Sequence, residues 1–307
     1  MVERMVYVDT DISLGTPGAE IDDFAALLML LRNPQVALAG IGSVFGNAPV
    51  ADVDTNLARL LFWLEGADIP TASGAAVPLQ GNLNWFTKWQ AGYGATPPFD
   101  FSRPQQSSAE LLIELARTHP GELTILAIGP LTNLALALRL APEIAGQVQC
   151  VVAMGGSFTA NPEFNIHCDP AAARAVLQAG WPVTLLGMEI TRQMAFSRAD
   201  FAALPDTNPA MRLFKGQAEG WIDRVESMGW EKDGCALHDA AAAAYLLRPE
   251  FFETQKAKVE VTVEGSGKLP AGATVLKLIS EDEGQAVEVV TRVDAQACRE
   301  LIWSFMQ

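Results

Sequence analysis

Four carboxylates, Asp9, Asp11, Asp22 and Asp23, stand where the apolar run Val6-Tyr7-Val8 ends and an apolar helical pattern beginning at Ile21 opens. Like charges held close together raise one another's pKa unless a cation lies among them, and calcium and magnesium both favour clustered carboxylate oxygens. An aspartate at a helix start also has a plainer use, since capping and the helix dipole favour it by roughly 0.3–1 kcal/mol. Capping accounts for one or two acids but not four. The remainder suit a metal ion or a polyhydroxyl ligand.

Three further stretches carry groups of the same kind. In Ile128-Gly129-Pro130-Leu131-Thr132-Asn133 a Gly-Pro turn follows an apolar run, which leaves strand-end carbonyls able to ligate a hard cation; a tight turn with Thr132 or Asn133 capping the next helix is the plain alternative. Glu163 and Asn165 lie two apart, so extended backbone would aim a carboxylate and an amide at one face, a pair suited to hydroxyl groups. Asp169-Pro170 has the form of an N-cap followed by proline at the first helical position, and His167 beside it is expected to be packed or exposed rather than catalytic. His238-Asp239 opens a helix ahead of five alanines. A lone histidine there would be structural, and only its acidic company suggests chemistry.

The elements that position these groups follow from hydrophobic patterning. Apolar runs at 6–8, 36–44, 123–128, 148–154 and 183–188 have the length of buried strands, and helix-period segments lie between them at 21–31, 50–64, 108–117, 131–140 and 170–179. Such alternation predicts one doubly wound α/β domain over residues 1–307: a mostly parallel, mixed sheet with helices on both faces and a Rossmann-like core. Ligands in such sheets bind beyond the carboxyl ends of the strands. Asp9 and Asp11, Asn47, 129–133, 155–165 and 189–193 all follow strands, so five loops can converge on one crevice. Residues 81–102, rich in Gly, Pro and aromatics without a period, are expected to form a long surface loop, and β-rich segments near 259–263, 274–279 and 286–293 precede a closing helix.

Composition limits the partners. The 21 basic and 36 acidic residues give a formal charge of −15, which repels phosphate backbones and anionic membranes but not an uncharged nucleoside. Cys150, Cys168, Cys235 and Cys298 form no C-x-x-C pair, so reduced thiols are expected rather than a zinc ribbon or a disulfide scaffold. Neither a signal-like N-terminus nor a membrane-length apolar run is present, and a soluble cytoplasmic protein is the expectation.

Taken together, Asp9-x-Asp11…Asp22-Asp23, Gly46-Asn47, 129–133, Met154-Gly155-Gly156, Glu163-Phe164-Asn165-Ile166-x-x-Asp169-Pro170 and His238-Asp239 resemble, in order, the inosine–uridine-type nucleoside hydrolases across nearly the whole chain. The resemblance implies calcium held by Asp11, Asp23, the Ile128 carbonyl and Asp239, with Asp11 as general base and His238 as the candidate acid for the departing base. It also implies that Asp22, Asn47, Glu163, Asn165 and Asp239 grip ribose hydroxyls, and that the protein assembles as a homodimer or homotetramer. Asp9 would support the cluster from behind.

The chain departs from that pattern at three places. The segment from Ile12 to Ile21 lengthens the acidic opening; the loop from Gly156 to Glu163 is short, leaving Asn161 as the candidate partner of the 5′-hydroxyl; and 85–94, Trp85-Phe86-Thr87-Lys88-Trp89-Gln90-Ala91-Gly92-Tyr93-Gly94, replaces a His-Gly-x-x-Gly segment. Trp89 could stack on a nucleobase or simply pack as a lid, and Trp221 and Trp230 share that ambiguity. Two rival readings remain: a haloacid-dehalogenase-like, magnesium-dependent phosphohydrolase with Asp9 as nucleophile, and a non-catalytic nucleoside or sugar binder.

Overall fold

The computed structural model describes residues 4–159, 162–265, 269–279 and 286–307. Its strands are β1 (Arg4–Thr10), β2 (Val36–Ser43), β3 (Thr71–Ala72), β4 (Leu123–Ala127), β5 (Cys150–Met154), β6 (Val183–Leu186), β7 (Ala195–Ser197), β8 (Gly234–Ala236), β9 (Phe252–Val261), β10 (Thr274–Leu278) and β11 (Val287–Val293). Nine of them form one sheet in the order β10-β9-β11-β6-β5-β4-β1-β2-β3, and β7 pairs with β8 apart from it. Pairing from β3 through β11 is parallel, and β9 runs antiparallel to both its neighbours. The expected mixed α/β sheet is therefore present. Among the described residues no helix is long and apolar enough to cross a membrane.

Strand order fixes where a ligand can sit. The chain leaves β1 for β2 and β3 on one side, then crosses back to lay β4, β5 and β6 on the other. The reversal opens a crevice at the carboxyl ends of β1 and β4, the site at which open α/β sheets bind ligands. Asp9 pairs in register with Ala127 on one side and Gly42 on the other, so the acidic end of β1 is central.

Two apolar layers cover the faces. Helices Asp22–Leu31, Pro209–Ser227, His238–Leu247 and Ala295–Met306 contribute to one, and Ser108–Thr118, Thr132–Leu140 and Pro170–Leu177 to the other. Ala240 to Ala244 are all buried, which makes His238–Leu247 an interior helix packed against the sheet and its neighbours. Small side chains let such a helix approach closely, and a helix apolar on every side has to be interior. The alanine run thus carries Asp239 into the protein centre.

Three local expectations are corrected. Residues 84–89 form a helix, Asn84–Trp89, followed by a 3-10 turn at Gln90–Gly92, where a loop was expected. Six residues give too few turns for a period to show, and the helix is held by burial of Phe86 against Phe45, Trp85 and Phe164. Neither Thr132 nor Asn133 caps its helix, which has Leu131 at the N-cap without a side-chain bond. Thr132 instead donates to Asp169 at 2.9 Å, while the Asn133 amide donates to Asp9 at 2.9 Å and to the Ser43 carbonyl at 2.8 Å. Finally, Glu163 and Asn165 do not lie on extended backbone: Glu163 caps the helix Phe164–Cys168, of which Asn165 is the second residue. Asp169 is an N-cap before Pro170, as expected, and accepts from Ala172 N at 3.0 Å. His167 is packed, its Nδ1 at 2.8 Å from the Ala271 carbonyl.

Candidate active site

β1 supplies the first groups. Asp9 turns toward the structure behind the crevice, where its Oδ1 accepts from Tyr7 Oη at 3.2 Å as well as from Asn133. Thr10 donates its hydroxyl to Asp23 Oδ1. Asp11 Oδ2 accepts from Asn47 N at 2.7 Å, and a Cβ on Gly46 would collide with that carboxylate, so only glycine fits there.

Two helix starts supply the rest. Asp22–Leu31 begins after Ile21, which makes no side-chain cap, so Asp22 and Asp23 lie in its first turn with their oxygens directed elsewhere. The start of His238–Leu247 meets it, and Asp239 N donates to Asp22 Oδ2 at 3.2 Å. Ligand oxygens of Asp22, Asp23 and Asp239 lie within 4.8 Å of one another. Paired helix N-termini favour negative charge at this point through their dipoles and free N–H groups. Asp22, expected to face the ribose, is thus one of the grouped carboxylates, while Asp11 lies beside the group.

Burial first, and then mutual repulsion, raises the carboxyl pKa values. Asp11 is pushed well up by burial and by the charges of Asp23 and Asp22; Asp23 by burial and Asp22; Asp239 by burial and by Asp22, Asp23 and Glu20. Asp22 is raised by burial, partly offset by the Asp239 N–H. Asp11 Oδ1, Asp22 Oδ1 and Asp23 Oδ2 are buried without a hydrogen-bond partner among the described residues. Unpaired buried carboxylates are costly unless protonated or joined by a cation, so this oxygen-only set fits a hard divalent ion.

That fit has a measurable consequence. Because these carboxyls keep protons in the fold that unfolded aspartate releases near pH 3.9, their stabilising protonation is complete below that value and is lost as pH rises through the raised values. A bound cation replaces the protons, so a hard divalent cation is expected to raise the melting temperature more at pH 8 than at pH 5.5. At a hundredfold excess over its Kd the gain is about 2.7 kcal/mol. Equal shifts at both pH values in a thermal-melt series would show that these carboxylates do not hold the ion.

The remaining groups follow β2 and β5 in the chain. Glu163 Oε1 accepts from Asn165 N at 2.7 Å, and its Oε2 accepts from Gly156 N at 3.0 Å and Ile166 N at 3.1 Å. Asn165 Nδ2 donates to the carbonyls of Ile128 at 3.2 Å and Met154 at 3.3 Å, leaving the Ile128 oxygen a second lone pair. Asn47 Oδ1 is buried and has no hydrogen-bond partner among the described residues. Asn161 lies outside the described residues.

The family model for inosine-uridine preferring nucleoside hydrolase matches residues 6–300. The chain belongs to that family. Uridine nucleosidase 1 of Arabidopsis thaliana is 36% identical over 277 residues, covering 86% of this chain and 79% of that protein. The non-specific ribonucleoside hydrolase RihC of Salmonella enteritidis is 36% identical over 284 residues, covering 89% and 87%. Among solved structures, an inosine-guanosine nucleoside hydrolase superposes with a TM-score of 0.80 at 27% identity, covering 99% of each chain. A plant nucleoside hydrolase gives 0.86 at 24% identity, covering 99% of this chain and 98% of that one, a likeness of fold.

In this nucleoside hydrolase, His238 Nδ1 lies 2.7 Å from Thr191 Oγ1. Burial, aided by the positive charge of Arg192, holds its pKa down at about 4. Trp89 stacks on Trp230 at 5.6 Å between ring centroids and tilts against Phe164 at 5.1 Å, while Arg224 lies over Trp89 at 5.0 Å and over Tyr93 at 4.8 Å. Trp221 is buried in the core. Sequence reasoning missed Glu20, Tyr93 and Thr10. Burial, and then the charges of Asp22, Asp23 and Asp11, push the Glu20 carboxyl well up, and burial with the charge of Glu20 pushes the Tyr93 hydroxyl up. The signal for Glu20 was present in the inserted segment, where a third acid shortly precedes the Asp22-Asp23 pair.

Proposed function

We propose that the chain, as one catalytic domain, hydrolyses the N-glycosidic bond of ribonucleosides to free base and ribose with calcium as its cofactor. The observation that carries the reading is the close group of Asp22, Asp23 and Asp239, with unpartnered oxygens there and on Asp11. Calcium bound there would lower the pKa of an attacking water and accept ribose hydroxyls as ligands. Asp11, Asp23, Asp239 and the Ile128 carbonyl are its proposed ligands, and Asp22 lies close enough to join them.

Asp11 is the proposed base. Asn47 N–H holds one of its oxygens, and the other is left to take a proton from water. Asp22, Asn47, Glu163, Asn165 and Asp239 grip ribose hydroxyls, and Asn161 is the proposed partner of the 5′-hydroxyl. The crowded carboxylates favour the positive charge that develops on the sugar as the bond breaks. His238, with its Nδ1 engaged by Thr191, offers Nε2 to the base as negative charge develops there. Trp89 is the proposed stacking partner of that base. The reading includes a homodimer or homotetramer, and a reducing cytoplasm, in keeping with four free cysteines.

Asp9 does not suit the phosphohydrolase reading. One of its oxygens is taken by Tyr7 and Asn133, which leaves it placed as a support rather than a nucleophile. Incubation of the purified protein with a panel of purine and pyrimidine nucleosides, read by free reducing sugar, tests the proposal. Ribose should appear with calcium and be lost on chelation. Phosphate release from a phosphoester, with no ribose from any nucleoside, would overturn it.

A further inference from the structure

The strand-end loop after β6 meets the start of the helix that carries Asp239, and the two-stranded sheet fixes how they meet. β7 and β8 pair antiparallel, with Ala195 opposite Ala236, Phe196 opposite Cys235 and Ser197 opposite Gly234. A Cβ on Gly234 would collide with the Phe196 carbonyl oxygen, so glycine permits the close approach. Just beyond the pairing, Leu237 N donates to the Met194 carbonyl at 3.1 Å, and Met194 N donates to the Thr191 carbonyl at 3.0 Å. This run of backbone bonds brings Thr191, the last residue of the helix Met188–Thr191, against His238, and Thr191 Oγ1 lies 2.7 Å from His238 Nδ1.

The surroundings of the pair decide which atom carries the proton. Thr191 is fully buried, and its hydroxyl makes no other hydrogen bond among the described residues. The Gly187 carbonyl, one turn back and the usual acceptor for a helical threonine, already accepts from Ile190 N at 3.0 Å and Thr191 N at 3.2 Å. If Nδ1 carried a proton the ring would donate, and the threonine proton would be stranded in the interior without an acceptor, a costly arrangement. If the hydroxyl donates, its one proton is used and Nδ1 supplies the lone pair. The same reasoning disfavours a doubly protonated ring. In the neutral ring the proton then sits on Nε2, which makes no hydrogen bond among the described residues and is left to donate.

We propose that Thr191 is a positioning residue for ribonucleoside hydrolysis: its hydroxyl, donating to Nδ1, holds His238 as the Nε2–H tautomer, so that a donor and not an acceptor meets the departing base. The inference rests on the reading of His238 as the donor to that base. It requires a hydroxyl at position 191 and not merely a side chain of that shape, which separates it from packing of the helix start.

Thr191→Val keeps the shape and removes the hydroxyl, and Thr191→Ser keeps the hydroxyl. The measurements are kcat/KM on a natural nucleoside and on p-nitrophenyl riboside, and long-range 15N–1H spectra of the histidine rings. The chain holds three histidines, His119, His167 and His238, so the signals lost in His238→Ala assign that ring. In the wild type its Nδ1 should be unprotonated and its Nε2 protonated. Thr191→Val should lower kcat/KM on the nucleoside about tenfold, the effect of one lost hydrogen bond, and leave p-nitrophenyl riboside within about threefold of wild type. Thr191→Ser should stay within about threefold on both substrates, and Thr191→Val/His238→Ala should be no worse on the nucleoside than His238→Ala alone. A protonated Nδ1 in the wild type overturns the proposal, as does a Thr191→Ser variant as impaired as Thr191→Val. Equal losses on both substrates in Thr191→Val overturn it in favour of packing. Wild-type kcat/KM in Thr191→Val alongside an impaired His238→Ala overturns the role of Thr191 alone, whereas an unimpaired His238→Ala overturns the donor reading beneath it.

Discussion

Replacing Asp11 by Ala should lower kcat on a ribonucleoside by about 10²–10⁴-fold, the range that a positioned general base contributes, and should weaken calcium binding as well. The side chain is fully buried; Oδ2 accepts from Asn47 N–H, and Oδ1 has no hydrogen-bond partner among the described residues. Its removal also relieves repulsion with Asp23 and Asp22, so the metal-free variant should melt no lower than metal-free wild type at pH 8. Turnover loss without loss of stability separates a functional carboxylate from a structural one. Ribose release and calorimetric calcium titration measure the two effects, and wild-type turnover in the variant would show that the base is misassigned.

The second large effect depends on the leaving group. His238→Ala should slow natural nucleosides by about 10²-fold or more, since a purine or pyrimidine leaves poorly without a proton or a strong hydrogen bond. p-Nitrophenyl riboside, whose leaving group departs as a stable anion, should be slowed far less. The ring is held by Thr191 on one nitrogen, and its pKa of about 4 means that it contributes no titration near pH 6.5 in the free protein. Equal losses on both substrates would remove His238 as the donor to the base. They would assign it instead to maintaining the helix start that carries Asp239.

Much of the fold was legible because its signal is local. Buried parallel strands show as short apolar runs, and the five expected ones match β1, β2, β4, β5 and β6 to within two residues. The helix Asn84–Trp89 was not legible, because six residues carry no period and its stability comes from Phe45 and Phe164, distant in sequence. The same limit misplaced Glu163 and Asn165. Period-two spacing was taken for extended backbone, whereas Glu163 finds its partners in the N–H groups of Gly156, Asn165 and Ile166 and starts a helix. Asn133 was read as a possible cap, yet its amide is taken by Asp9 and Ser43, which only strand pairing brings near.

The sequence by itself determined the family, the strand-end placement of the acidic groups and the oxygen-only chemistry of the site, since residue type and order along the chain suffice for these. Only the tertiary structure decided which carboxylates share a position. Asp239 is more than two hundred residues from Asp22, and the close packing of an alanine-rich interior helix beside Asp22–Leu31 brings their starts together. Tertiary packing likewise anchored the lengthened segment, with Gln217 donating to the Thr16 and Ala19 carbonyls and Gly94 N to the Pro17 carbonyl. Its partners on Pro209–Ser227 and the aromatic stretch are chosen by folding in three dimensions, which spacing along the chain does not encode.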